Sequence, residues 1–239
     1  LDRSLAFWDA QGSAAHARML FSLGILTKPD LESLLMALAE ISKEAQSLSF
    51  DIPAELEDCH TAIESRLVEK TGEAGRKIHT GRSRNDQVLL CMRLYMRASA
   101  VAQLRMLLSV SQTLALRIDE LGDIPMPGYT HFQPAMPASV GMWLHAFYEN
   151  VLALIREGLA LLDLLDENPL GAAAGFGSSL PLDRKLTSRL LDFSRTQRSP
   201  IDIQNSRGRH ELKFVRWCVD TASCLEKFSW DMILYTSRE

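Results

Sequence analysis

The fold is decided by a stretch of 40 residues that contains neither glycine nor proline, residues 82–121: RSRNDQVLLCMRLYMRASAVAQLRMLLSVSQTLALRIDEL. At about 1.5 Å of rise per residue, such a stretch would form a helix roughly 60 Å long. Apolar side chains recur around much of its circumference, among them Val88, Leu94 and Leu107. A long helix that is apolar on most sides has to be covered by other helices, so the stretch predicts a helix bundle.

Two further stretches predict long helices that could cover the first. Residues 209–239 contain no glycine or proline, and residues 138–167 contain only Gly141 and Gly158. The composition agrees, because Leu occurs 38 times against 19 for Val and Ile together. Leucine favours helices, whereas β-branched residues favour strands. We therefore expect an all-α fold.

The first 80 residues predict shorter helices. Apolar residues recur three and four apart from Leu31 to Leu48, which is typical of an amphipathic helix, and Thr27 and Asp30 have the spacing of a capping box. A second short helix is expected from about Pro53 to residue 70. We accordingly expect a small helical N-terminal domain, residues 1–80, followed by a central long-helix bundle domain, residues 81–239, which is incomplete at its C-terminal end.

Charge and composition argue against two classes of partner. The net charge is −4, and bulk binding of nucleic acid rests on neutralising phosphates with basic residues. We find no run of 18 apolar residues, so we expect no membrane-spanning helix. The four cysteines lack metal-ligand spacing, and we expect them to be buried thiols in a reducing cytoplasm.

The most polar segment is KIHTGRSRNDQ, residues 77–87, immediately before the long apolar stretch. Ser83, Asn85 or Asp86 could cap the helix that follows. Alternatively, Arg82 and Arg84 together with the free N–H groups of a helix start would suit a carboxylate or a phosphate. The residues alone leave both interpretations open.

Two other segments carry candidate chemistry. In PGYTHFQPAMP, residues 127–137, the prolines would hold a loop rigid and present Thr130, His131 and Gln133. A histidine there can act as acid or base near neutral pH, although a loop histidine is more often an ordinary surface residue. NPLGAAAGFGSS, residues 168–179, favours a close-packed turn over a phosphate cradle, because no Lys-Ser/Thr pair follows its glycines.

Together these segments resemble one family, the argininosuccinate lyases. TGRSRNDQ, residues 80–87, is similar to the family's signature, and DAQGS (9–13), EDCHT (57–61), YTHFQ (129–133) and NPLG (168–171) follow in the family's order. The resemblance implies an all-helical, cytoplasmic homotetramer whose active sites each gather residues from three subunits. It also implies reversible β-elimination of argininosuccinate, a small dicarboxylate substrate, to arginine and fumarate in the last step of arginine biosynthesis, without a metal or an organic cofactor.

The same resemblance implies roles for particular residues. His131 matches the family's active-site histidine, and Thr130 is its neighbour in that motif. Asp2 matches an aspartate that holds the arginine-like end of the substrate. The full set of residues matched to substrate binding is Asp2, His60, Ser83, Arg84, Asn85, Thr130 and Gln133.

The chain departs from the family's pattern in three places. The family's mobile serine loop, which carries the catalytic base, would follow shortly after Glu239, so residues 1–239 alone are expected to be inactive. Met136 replaces a glutamine, and the family's Ser-x-Arg-Asp reads SRGR at residues 206–209, which leaves open whether Arg207 or Arg209 replaces the lost arginine. A lyase for another amino-succinate such as adenylosuccinate and a non-catalytic helical scaffold remain as alternatives.

Overall fold

The computed structural model describes residues 2–237, and this part of the chain is mostly α-helical. It contains these elements: α1 (Arg3–Ser22), α2 (Lys28–Gln46), α3 (Cys59–Thr71), α4 (Glu73–Lys77), α5 (Arg84–Leu121), β1 (Pro125–Thr130), β2 (Gln133–Ser139), α6 (Val140–Leu165), β3 (Glu167–Asn168), α7 (Arg184–Leu190), β4 (Arg195–Thr196), α8 (Pro200–Asn205) and α9 (Arg209–Tyr235). The predicted helical fold is confirmed, and α5, α6 and α9 correspond to the three predicted long helices. Two small sheets, the β1–β2 hairpin and the short parallel pair β3–β4, are added to it.

The chain divides into two compact units. The first comprises the residues up to Arg97 together with Leu165–Glu211, and the second comprises Ala98–Leu164 with the residues from Leu212 onward. This division differs from the expected one into residues 1–80 and 81–239, which remains a prediction about domains. Among residues 2–237, no helix is both long and apolar enough to cross a membrane.

The first unit has its apolar core between α1, α2 and α3. Core residues include Leu20, Leu34, Ile41 and Ile63, all fully buried. The capping box that was predicted for α2 is present, since the Thr27 hydroxyl accepts from the backbone of Asp30 and the Asp30 carboxylate accepts from the backbone of Thr27. This reciprocal pairing satisfies two N–H groups that a helix start otherwise leaves free.

The start that was predicted for the next helix was wrong. Helix α3 begins at Cys59, six residues after Pro53, because the Asp58 carboxylate accepts a hydrogen bond of 2.7 Å from the backbone of Thr61 and so caps the helix there. Because α3 begins at Cys59, His60 lies in its first turn, where its side chain is buried. The position of His60 therefore depends on Asp58.

The second unit is built on the long helices. Trp217 of α9 donates its indole N–H to the carbonyl of Leu154 in α6 at 2.9 Å. A Cβ at Gly158 would lie 2.5 Å from the Trp217 ring, so this glycine allows the two helices to approach closely. Trp143 of α6 stacks on Phe228 of α9, with ring centroids 5.7 Å apart.

The proline-rich segment of the second unit forms a β-hairpin, where a rigid loop was expected. Strands β1 and β2 pair antiparallel, with Thr130 opposite Gln133. His131 and Phe132 form the two-residue turn, at φ of 52° and 56°. Positive φ at both turn residues suits the right-handed twist of a hairpin. Prolines are tolerated because each strand of this two-stranded ribbon is an edge.

Candidate active site

The residues implied in catalysis and binding divide between the two units. The first unit holds Asp2, His60, Ser83, Arg84 and Asn85, and the second holds Thr130, His131 and Gln133.

The polar segment before α5 forms the cap of that helix. The backbone N–H of Ser83 donates to an oxygen of the Asp86 carboxylate at 2.9 Å, and the backbone N–H of Asn85 lies 3.3 Å from the Ser83 hydroxyl. The capping interpretation is therefore confirmed for Ser83 and Asp86. It places Arg84 and Asn85 in the first turn of α5 with a fixed backbone.

The second oxygen of Asp86 holds the small-residue loop of residues 168–179. It accepts the backbone N–H groups of Gly171 at 2.9 Å and Ala173 at 3.0 Å. Gly171 has φ +90°, and a Cβ there would lie 2.9 Å from the Arg184 side chain. Burial raises the pKa of Asp86, although these N–H groups and Arg82 act in the opposite direction. The loop is thus a close-packed turn around the chain's own carboxylate.

Arg84 is held against α3 by several acceptors. Its guanidinium donates to Glu64 at 3.3 Å, to the Thr61 hydroxyl at 3.2 Å and to the Gln87 side chain at 3.1 Å. Asp58 lies 3.8 Å away. Two carboxylates therefore balance its positive charge in the free protein, while these contacts fix the direction of its side chain.

Arg82 is buried, and its side chain is 1% exposed. It donates to the Ser13 hydroxyl at 3.0 Å, and the Glu64 carboxylate lies 3.6 Å from its other terminal nitrogen. Glu64, to which the sequence did not point, lies against both Arg82 and Arg84. Its spacing could have indicated this position, because Glu64 lies one helical turn after His60 and Thr61 and therefore on the same face of α3.

His60 is buried, at 3% exposure. Its Nδ1 lies 3.1 Å from the Asp9 carboxylate, which also accepts two bonds from Gln87 at 2.9 and 3.2 Å. Burial alone would raise the pKa of Asp9, but His60, Arg82 and Gln87 together hold it below its usual value. This contact fixes the ring of His60, while the substrate contact implied for it stays a prediction.

Asn85 pairs with a residue far along the chain. The guanidinium of Arg207 donates to the Asn85 side-chain oxygen at 2.9 Å. Arg209, two residues later, binds both oxygens of Asp202, at 3.1 and 3.2 Å. The two arginines of the divergent SRGR segment therefore have different environments, which the sequence did not distinguish.

The histidine motif of the second unit lies at the exposed end of its hairpin. Thr130, His131 and Gln133 are all exposed, and Phe132 is 82% exposed. Tyr235 of α9 donates its hydroxyl to the carbonyl of Pro127 at 3.3 Å, which supports the base of the hairpin. His131 thus lies at a defined turn of the backbone, and its ring is accessible.

Asp2 immediately precedes α1, where its carbonyl accepts from the backbone of Leu5 at 2.9 Å. Its side chain is half-buried and makes no capping bond. For metals, residues 2–237 contain no group of three or more His, Cys, Asp or Glu side chains that could hold an ion.

Comparison with known sequences shows similarity along the whole chain. The pattern of the lyase family matches residues 2–239. An argininosuccinate lyase of Stenotrophomonas maltophilia is 42% identical over 243 residues, and one of Xanthomonas oryzae is 40% identical over 239 residues. Both alignments cover 100% of this chain and 56% of the relative. The chain therefore spans about half the length of the curated relatives it matches.

Comparison with solved structures gives the same fold. An EDDS lyase variant with bound fumarate superimposes with a TM-score of 0.87 at 26% identity, over 100% of this chain and 46% of that one. A fumarate lyase/delta crystallin from Brucella melitensis, solved bound to cobalt, gives a TM-score of 0.82 at 17% identity, over 98% of this chain and 56% of that one. The second likeness concerns the fold alone.

Proposed function

This chain belongs to the lyase family, whose pattern covers residues 2–239, and on that premise we propose that the intact protein is an argininosuccinate lyase. It would catalyse the reversible β-elimination of argininosuccinate to arginine and fumarate, a step of arginine biosynthesis. The observation that carries the proposal is the similarity to relatives named argininosuccinate lyase, which are 40–42% identical over 100% of this chain. The fumarate bound to the EDDS lyase variant supports the same product class.

In the proposed reaction, a base removes a proton from the carbon next to a carboxylate of the substrate. The carbanion that forms places negative charge on that carboxylate, and donors fixed in advance lower the energy of this state. Ser83, Arg84 and Asn85 would act as these donors, since the cap at Asp86 and the contacts to α3 fix them before substrate binds. Preorganisation of this kind avoids the cost of reorienting dipoles during the reaction.

We assign the proton transfer to the leaving group to His131 and the hold on the reacting carboxylate to Thr130. An acid has to assist the departure of the guanidino nitrogen, and the imidazole of His131 would donate that proton. Gln133 would line the same site. Asp2 would pair with the guanidinium of the arginine half, and His60 would contact the substrate from the buried position that Asp9 gives it.

A homotetramer with active sites shared between three subunits forms part of the proposal. Its support lies in α9, whose large apolar side chains Val215, Val219, Trp230 and Ile233 are each more than half exposed. Apolar faces of this kind are typical of interaction surfaces. A cytoplasmic location completes the proposal and is supported by the free state of the four cysteines, three of them buried.

The test is turnover by the intact protein, followed as fumarate absorbance with argininosuccinate and with adenylosuccinate as substrates. We expect activity on the first only. Activity on adenylosuccinate alone would replace the proposal by a related lyase, and inactivity on both with an intact oligomer would favour the helical scaffold. His131→Asn should reduce turnover by several orders of magnitude without changing the oligomer, and near-normal turnover in that variant would refute its role.

A further inference from the structure

Arg207 lies on a fixed turn between α8 and α9. The residue before it, Ser206, is fully buried and donates its hydroxyl to the carbonyl of Ile203 at 2.6 Å. The backbone N–H of Arg207 bonds to the carbonyl of Gln204, and that of Arg209 bonds to the carbonyl of Ser206 at 3.0 Å. The side chain of Arg207 is exposed, so a rigid backbone presents an accessible guanidinium.

The contact with Asn85 also determines which way the amide of Asn85 points. A guanidinium has only donors, so the Asn85 atom 2.9 Å from Arg207 must be the amide oxygen. The NH₂ group of Asn85 is thereby left as a donor beside the Arg207 guanidinium. Together the two side chains offer N–H groups of the kind that binds a carboxylate.

The charges around the three nearby arginines differ. Arg84 is balanced by Glu64 and Asp58, and Arg209 is balanced by Asp202. For Arg207, the only side-chain partner among residues 2–237 is the neutral amide of Asn85. An incoming anion would therefore meet the uncompensated charge at Arg207, while at Arg84 it would compete with two carboxylates.

We propose that Arg207 binds a carboxylate of the fumarate half of the substrate and orients Asn85 for the same carboxylate. The assignment rests on the proposed function, since it takes Asn85 as a substrate-binding residue. It also resolves which arginine of the SRGR segment acts in the site: Arg207 binds substrate, and Arg209 holds α8 through Asp202. The sequence could not separate them, because the contact joins residues 122 positions apart.

The experiment uses the intact protein with Arg207→Gln, and with Arg209→Gln as the matched control that removes the same charge two residues away. Fumarate affinity is measured by titration calorimetry, and KM and kcat are measured for argininosuccinate. We expect Arg207→Gln to weaken fumarate binding and raise KM by about tenfold or more, as for loss of a charge-assisted hydrogen bond. Arg209→Gln should keep fumarate affinity and KM within about twofold of the wild type. Arg207→Lys should recover part of the affinity that Arg207→Gln loses.

The assignment is overturned if Arg207→Gln binds fumarate within twofold of the wild type, or if Arg209→Gln loses as much affinity. Melting curves show whether each variant remains folded, and the exposure of Arg207 makes unfolding an unexpected outcome. If the wild type binds fumarate through Arg207 without converting argininosuccinate, the proposed function fails and the assignment stands. If the wild type binds no fumarate, the assignment fails by itself.

Discussion

Glu64 is the residue on which the two arginines of the polar segment converge. Its carboxylate lies 3.3 Å from Arg84 and 3.6 Å from the buried Arg82. Removing one partner of a buried charge leaves the other without compensation, which costs more than the ion pair itself contributes. Glu64 therefore stabilises the fold and directs Arg84 at the same time.

We expect Glu64→Gln to lower the free energy of unfolding by about 1–3 kcal/mol, because Arg82 loses its nearest carboxylate. The measurement is urea denaturation of the intact protein. Glu69→Gln, which removes an exposed carboxylate from the same helix, is the control and should change stability by no more than about 0.5 kcal/mol. Equal effects of the two substitutions would contradict the role of Glu64.

Two buried histidines make stability depend on pH. Burial, followed by the charge of Arg82, lowers the pKa of His16 to about 3, and burial with the charge of Arg93 lowers the pKa of His210 to about 4. His16 donates to the carbonyl of Thr80 at 3.0 Å, and His210 faces Arg93 at 3.2 Å. Both rings are therefore neutral in the folded protein at neutral pH.

Because these pKa values lie below that of an unfolded histidine, about 6.5, the unfolded chain takes up protons first as the pH falls. The stabilising effect is complete above pH 6.5 and is lost progressively toward pH 3–4. For each histidine, we expect the free energy of unfolding to fall by about 2 kcal/mol between pH 7 and pH 5. Denaturation at both pH values checks this. His16→Gln should flatten the dependence, and an unchanged dependence in that variant would contradict the role of His16.

At the scale of elements, Asp86 joins the start of α5 to the small-residue loop. One oxygen caps the helix at Ser83, and the other accepts from Gly171 and Ala173. The sequence favoured the turn and left the cap as one of two interpretations, but it did not indicate that one side chain makes both. Charged acceptors of backbone N–H groups are among the stronger hydrogen bonds in proteins.

Asp86→Asn should destabilise the protein by about 2–3 kcal/mol, since an amide cannot accept at both of its ends. The loss is measured by thermal denaturation, and hydrogen exchange should increase at the loop of residues 168–179. Asp119→Asn, at an exposed position on the same helix, serves as the control. Unchanged exchange in the loop of the Asp86 variant would show that the loop is held by other contacts.

At the scale of the whole molecule, α9 presents large apolar side chains on its exposed face. Val219 is 59% exposed, close to Val215 and on the same face of the helix. Burying such side chains against other copies would stabilise an assembly by roughly 1.5–3 kcal/mol for each side chain.

Val219→Lys should therefore weaken the proposed tetramer, because a lysine cannot be buried at an apolar contact without a partner. Light scattering after size exclusion measures the mass of the intact protein over a dilution series. Glu69→Lys, at an exposed position of a different helix, α3, is the control and should keep the mass of the wild type. A wild type that remains a monomer at every concentration would refute the tetramer.

The sequence by itself determined the three long helices, the capping box at Thr27 and the family, because these depend on local patterns: the spacing of apolar residues, the absence of helix breakers and short motifs. It could not determine the hairpin around His131, since that pairing arose between proline-rich segments without strand patterning. Only the tertiary structure decided the contacts of Asp9 with His60, of Glu64 with Arg82 and Arg84, and of Arg207 with Asn85. Each joins residues far apart in the chain, and their pairing follows from packing that no local pattern contains.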